Sequence, residues 1–151
     1  MSAAHNHKTI EVTAETAWQT IDLTQAITER VAQALGFEEE DIHKIGMSVR
    51  EGVINALHYG NHMQRGKRVF LTYVLEPDRL VIRVLDQGSG FESNGLDDPL
   101  AEENLLKTSG RGLLIVRAFM DDMRVGHGPS GGAELMMAKH YPKRLEKPKE
   151  S

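Results

Sequence analysis

Arg68-Val69-Phe70-Leu71-Thr72-Tyr73-Val74-Leu75, then Glu76-Pro77-Asp78, then Arg79-Leu80-Val81-Ile82-Arg83-Val84-Leu85-Asp86 is the stretch from which the fold is read. Both runs are rich in β-branched and aromatic residues, and Pro-Asp between them marks a turn. Residues 68–75 and 79–85 are therefore predicted to form a β-hairpin. Asp86 closes the second strand and opens Gln87-Gly88-Ser89-Gly90-Phe91. A carboxylate at the carboxyl end of a strand can accept a hydrogen bond from an exocyclic amine, which contributes roughly 1.5–3 kcal/mol when buried. Gly88 and Gly90 let the backbone approach a flat ligand with no Cβ in the way. The plainer alternative is an Asp-Gly turn between two elements.

Upstream, Thr9-Ile10-Glu11-Val12 reads as a first strand, with Thr13 as the cap of a helix that has Thr16 in its first turn. Ala17, Ile21, Thr24, Ile27, Val31 and Leu35 recur at helical spacing and form its packing face, and Gly36 stops it. Phe37 is a hydrophobic anchor, and the run Glu38-Glu39-Glu40-Asp41 opens a second helix, its carboxylates complementing the helix dipole. Ile42, Ile45, Val49, Val53, Ala56 and Leu57 supply its apolar side, and Gly60-Asn61 closes it. On that helix Glu51 and Asn55 are four apart and share a face. A carboxylate and an amide so placed can hold hydrated Mg²⁺ and orient a hydroxyl, although an exposed Glu with Asn at i+4 is also commonplace. His58 and His62 have the spacing of a zinc pair but lack a third ligand, so His58 is read as packed or hydrogen-bonded beneath the site.

Downstream, residues 87–110 show little periodicity and contain Gly88, Gly90, Gly95 and Gly110; a loop of this length in a compact domain is usually functional or mobile. Ser109-Gly110-Arg111-Gly112-Leu113 then precedes a helix over 113–120. Free amides at a helix start form an anion site, and flanking glycines open it to a phosphate. Arg111 can add a charged contact or point to solvent. The spacing is not that of a Walker A loop or of GxGxxG. Strands over 123–126 and 133–140 finish the chain, and helices on one face of a mixed sheet place it in the α+β class.

The 151 residues fit one domain, with 40% apolar and 26% charged residues. Eighteen basic against 22 acidic side chains leave a net charge of -4, which gives nucleic acid or an acidic membrane no electrostatic hold. Absence of cysteine excludes disulfides and thiolate chemistry, and suits a reducing cytoplasm. No apolar run approaches the ~18 residues of a membrane span, and no signal peptide opens the chain.

Taken together, Glu51-x-x-x-Asn55-Ala56 resembles the N box of the GHKL ATPases, Asp86-x-Gly88-x-Gly90-Phe91 the first glycine box and Gly110-Arg111-Gly112-Leu113 the second. That Bergerat-type fold is shared by gyrase, histidine-kinase catalytic domains and the heat-shock chaperone. Within it the chain is most similar to the anti-sigma-factor serine kinases of bacterial stress and sporulation switches. Residues 98–107 with Ser109-Gly110-Arg111-Gly112 resemble the ATP lid of that group, and Phe119-Met120-Asp121-Asp122 its Phe-Met-Asp-Glu segment.

The resemblance implies a two-layer α+β sandwich whose sheet is mixed and mostly antiparallel, with an ATP-binding kinase domain over 9–141 and a lid near 91–109. The polar start 1–8 and the charged, proline-containing end 142–151 read from composition as a flexible N-terminus and a disordered tail. The resemblance also implies ATP and Mg²⁺ as cofactors. Asn55 binds the metal, and Glu51 is the base for an attacking serine hydroxyl. Asp86 holds the adenine amine, with Gly88 and Gly90 behind the base. Ser109, Gly110, Arg111, Gly112 and Leu113 bind phosphates, and Gly132 lies where the family has Gly-Thr before its last strand. Ala133 departs from that pattern by lacking the hydroxyl. The implied partners are an antagonist protein with a phosphorylatable Ser or Thr, a sigma factor, and a second copy in a homodimer, with no nucleic acid and no membrane. The alternative is a non-catalytic switch that binds a partner according to ATP or ADP. A histidine kinase or a gyrase-type ATPase would need a further domain for which this length leaves no room.

Overall fold

The hairpin forms over the residues its pattern marks, as β2 (Arg68–Leu75) and β3 (Arg79–Leu85), paired antiparallel with Phe70 opposite Leu85. The computed structural model describes residues 8–88, 111–129 and 131–143. Around the hairpin stand β1 (Lys8–Glu15), α1 (Trp18–Ala34), α2 (Glu39–Asn55) continued by a π turn (Ala56–Gly60), α3 (Gly112–Phe119), β4 (Asp122–His127) and β5 (Ala133–His140). The five strands lie in the order β1-β2-β3-β5-β4. Every pairing among them is antiparallel, so the expected α+β two-layer architecture holds with a sheet more uniform than "mixed" implies.

Alternation along the strands separates the layers. Leu71 and Tyr73 of β2, with Leu80, Ile82 and Val84 of β3, are buried against Ile45, Val49 and Val53 of α2 and Leu113 and Val116 of α3. Fully burying one such side chain contributes about 1.5–3 kcal/mol. The opposite sheet face has a smaller cluster, Val81, Met136 and Ala138, bordered by the ion pairs Arg83–Glu134 (2.9 Å) and Arg79–Glu76 (2.8 Å). No helix among the described residues is long and apolar enough to cross a membrane.

The first helix corrects two expectations. Thr13 does not cap it but stays in β1 opposite Phe70, and Ala17 holds the N-cap position. Pairing along all eight residues of β1 outweighs a local hydroxyl cap. The buried face is Thr20, Ile21, Thr24, Thr28 and Ala32, while Ile27 is 37% exposed. Threonines serve there because each hydroxyl returns to the backbone: Thr24 donates to Thr20 O (2.6 Å) and Thr28 to Thr24 O (2.7 Å). The end of α1 follows the sequence reading. Gly36 has φ +89°, its N–H reaches Gln33 O, and the buried Phe37 donates to Ala32 O, a Schellman arrangement.

The buried Tyr73 hydroxyl lies 2.7 Å from Thr28 Oγ1 and fastens α1 to the sheet. Since Thr28 already donates to Thr24 O, Tyr73 is the donor in this pair. Tyr73→Phe removes one bond and leaves no donor stranded, so urea denaturation should show a loss of about 1 kcal/mol with an unchanged slope.

Candidate functional site

One end of the site is built on α2. Gly52 packs inward, where an added Cβ would lie 3.0 Å from Leu135 and 3.3 Å from Met137. That contact sets the helix rotation and turns Glu51 and Asn55 away from the sheet. Facing them is the start of α3: a Cβ on Gly112 would stand 3.4 Å from Glu51 Oε1 and 3.5 Å from Asn55 Nδ2. The structure therefore brings together Glu51, Asn55 and Gly112, three residues the sequence spreads over sixty positions. They line a pocket of ≈ 240 Å³ whose rim carries Trp18 and Tyr59.

The chemistry of this end suits a polar ligand. Asn55 Nδ2 is buried with no hydrogen-bond partner among the described residues, an orphan that costs about 1–3 kcal/mol unless something fills it. The first amides of α3 have no partners within their own helix, and Gly112 at its start stands beside Glu51 and Asn55. The Asn55 amide and the Glu51 carboxylate offer the oxygens Mg²⁺ accepts, so these residues fit the expected ion. Among the described residues no cluster of three or more His, Asp and Glu has metal-binding geometry. Leu113 contributes its backbone at the helix start while its side chain is 3% exposed in the core.

The other end is Asp86, 7% exposed at the end of β3. Its Oδ1 accepts from Gly88 N (2.9 Å) and Ala133 N (3.0 Å), and its own N–H donates to Ala133 O (3.1 Å). Ala133 thus meets Asp86 through its main chain. Burial pushes the Asp86 carboxyl above its ordinary value, partly countered by those two N–H donors and by Lys67 and His62.

Glycines make room for this carboxylate. A Cβ on Gly60 would strike Asp86 Oδ2, one on Gly132 would strike the Asp86 carbonyl, and one on Gly88 would strike the Gly60 carbonyl. Gly88 and Gly132 are legible in the sequence as candidate site residues, whereas Gly60 carries there only the mark of a helix stop. It arrives there through the π turn, in which Asn61 N reaches back to Ala56 O (2.8 Å). One π turn thus joins the Asn55 end of the site to the Asp86 end. His58 corrects an expectation: it is exposed and edge-on to Tyr59 (centroids 4.9 Å, 83°), because the widened turn swings it outward. Arg111 is exposed just before α3, whereas Gly90, Ser109, Gly110 and the expected lid fall outside the described residues.

Three comparisons bear on this geometry. Residues 12–139 match the protein-family model described as "Histidine kinase-like ATPase domain". The anti-sigma F factor of Clostridium acetobutylicum is 30% identical over 104 residues, spanning 68% of this chain and 72% of that protein. The serine-protein kinase RsbW of Halalkalibacterium halodurans is 28% identical over 141 residues (89% and 85%), and that of Listeria monocytogenes 22% over 146 residues (93% and 90%). A crystal structure of the RsbU and RsbW domains of a Mycobacterium tuberculosis protein shares the fold, with TM-score 0.60 and 18% identity. It covers 93% of this chain, which spans 35% of that longer one.

Asp86 also makes a stability prediction. Because its folded pKa lies above the unfolded value of about 4, ionised Asp86 costs stability at neutral pH, and the cost disappears once both states are protonated. Asp86→Asn keeps the Oδ1 acceptor and removes the charge. Thermal melts should find the variant more stable than the parent at pH 7, with the gap closing as pH falls through the carboxylate range.

Proposed function

Since the chain belongs to the histidine kinase-like ATPase domain family, we propose that it is a cytoplasmic ATP-dependent serine/threonine protein kinase of the anti-sigma type. It phosphorylates an antagonist protein and, according to that protein's state, holds or releases a sigma factor. The observation that carries this reading is the meeting of Glu51, Asn55 with its orphaned amide, and Gly112 at the start of α3. The names of the relatives, anti-sigma F factor and serine-protein kinase, agree with it.

In this reading the adenine amine donates to Asp86 on its Oδ2 side, since Oδ1 already serves two main-chain donors. Gly88 and Gly132 border the base, and the triphosphate runs along the π turn toward the amides of α3, with Ser109, Gly110 and Arg111 continuing the phosphate cradle. Asn55 holds Mg²⁺, which supplies charge neutralisation on the phosphate oxygens. The antagonist's hydroxyl approaches over Glu51, whose carboxylate accepts its proton as the new O–P bond forms and the bond to the leaving ADP oxygen breaks.

Incubation with ATP, Mg²⁺ and the cognate antagonist should transfer labelled phosphate to a serine or threonine of the antagonist. Glu51→Gln should lower kcat about 100-fold or more while leaving ATP affinity near that of the parent. Full labelling by Glu51→Gln would remove Glu51 as the base. Nucleotide-dependent capture of the partner with no phosphate transfer would select the non-catalytic switch instead.

A further inference from the structure

Asn61 is completely buried, yet neither the base nor the phosphate chemistry above uses it. Its amide is fully engaged. Nδ2 donates to Thr16 Oγ1 (2.9 Å) and to Arg68 O (3.0 Å), and Oδ1 accepts from Gln87 N (2.8 Å). These partners belong to three separate segments: the corner between β1 and α1, the entrance of β2, and the residue after Asp86. The acceptors on one side and the N–H donor on the other admit only one orientation of the amide.

The partners are themselves tied. Thr16 Oγ1 donates to Lys67 O (2.7 Å), and Gln87 Oε1 accepts from Arg68 N (2.8 Å). The main-chain N–H groups of Asp86 and Gln87 are both fixed, the first by Ala133 O and the second by Asn61 Oδ1. The residue before Asn61 is Gly60, whose Cα faces Asp86 Oδ2 and whose carbonyl abuts Gly88. Directly after it, His62 (φ 50°) and Met63 (φ 55°) both take left-handed backbone, a conformation side-chain-bearing residues hold only when their surroundings impose it. The side-chain bonds of Asn61 hold this turn from one side and Met63 N to Leu57 O (2.8 Å) from the other.

We infer that Asn61, seated by Thr16, is a positioning residue for nucleobase recognition: by fixing Gly60 against Asp86 Oδ2 and the main chain after Asp86, it sets the direction in which the carboxylate meets an exocyclic amine. This rests on the reading of Asp86 as the adenine contact. A plain fold anchor would support every ligand contact alike, whereas a positioning residue affects the contact to the amine and spares those to the triphosphate, which lie on α2 and α3.

Calorimetry on the full chain with ATP and with inosine triphosphate, which carries a carbonyl in place of the amine, separates these roles. The parent should prefer ATP. Asn61→Ala should weaken ATP binding about tenfold or more, the equivalent of one hydrogen bond to a charged group, and leave inosine triphosphate unchanged. Thr16→Val should act in the same direction and Thr16→Ser, which keeps the hydroxyl, should restore the preference; this pair decides the matter if Asn61→Ala does not fold. Asp86→Asn must abolish the preference if the underlying reading is right. An unchanged preference in Asp86→Asn overturns that reading and this inference with it. A preference lost in Asp86→Asn but kept in the Asn61 and Thr16 variants, or equal losses for both nucleotides, overturns the role of Asn61 alone.

Discussion

A carboxylate at the end of a central strand, almost out of reach of water, is the constraint around which this molecule is arranged. Removing a charged group from water is costly, and one held there must be met by donors and given space. Asp86 receives two main-chain N–H groups from different segments, Gly88 and Ala133. The space comes from positions 60, 88 and 132, where a methyl group would collide with Asp86 or with the wall beside it. The arrangement joins the end of β3, the start of β5 and the end of the long second helix in one place.

That junction explains the irregular end of α2. A regular helix would continue past Asn55 with an even turn; the widened turn over 56–60 brings Gly60 against Asp86 and hands the chain to Asn61. The same helix packs through Gly52 on the sheet and presents Glu51 and Asn55 to α3. One helix thereby sets the spacing between the part of the site suited to a base and the part suited to phosphate and metal. The ion-paired outer face of the sheet, with Arg83–Glu134 and Arg79–Glu76, lies away from both, and exposed pairs of this kind contribute little to stability.

Much of the fold is legible in the sequence where the signal is local and repeated. The boundaries of β2, β3 and β5 follow from residue type and alternation, and the Gly36 stop from its left-handed backbone. Glu51, Asn55, Asp86, Gly88 and Gly132 are picked out by motif and resemblance; in the fold Glu51 and Asn55 meet Gly112, and Gly88 and Gly132 meet Asp86. What escaped depended on partners distant in the chain. Thr13 looks like a cap until β2 claims it, and Ile27 fits a helical stripe whose centre the sheet places at Thr24 and Thr28. Asn61 looks like a helix terminator, because its bonds run to Thr16 and Gln87, 45 and 26 residues away. Gly60 carried no sign of its contact with Asp86, and no hydropathy pattern announces a π turn.

The proposed nucleotide spans Asp86 and the start of α3. Titration of ATP and Mg²⁺ into ¹⁵N-labelled protein tests it most directly, through the backbone amides. A nucleotide bound across both ends produces coincident, saturable shifts at Gly88, Ala133, Asn55 and Gly112, with Arg79 and Arg124 on the outer sheet face unmoved. Shifts confined to the outer face, or to only one of the two ends at saturation, would contradict it.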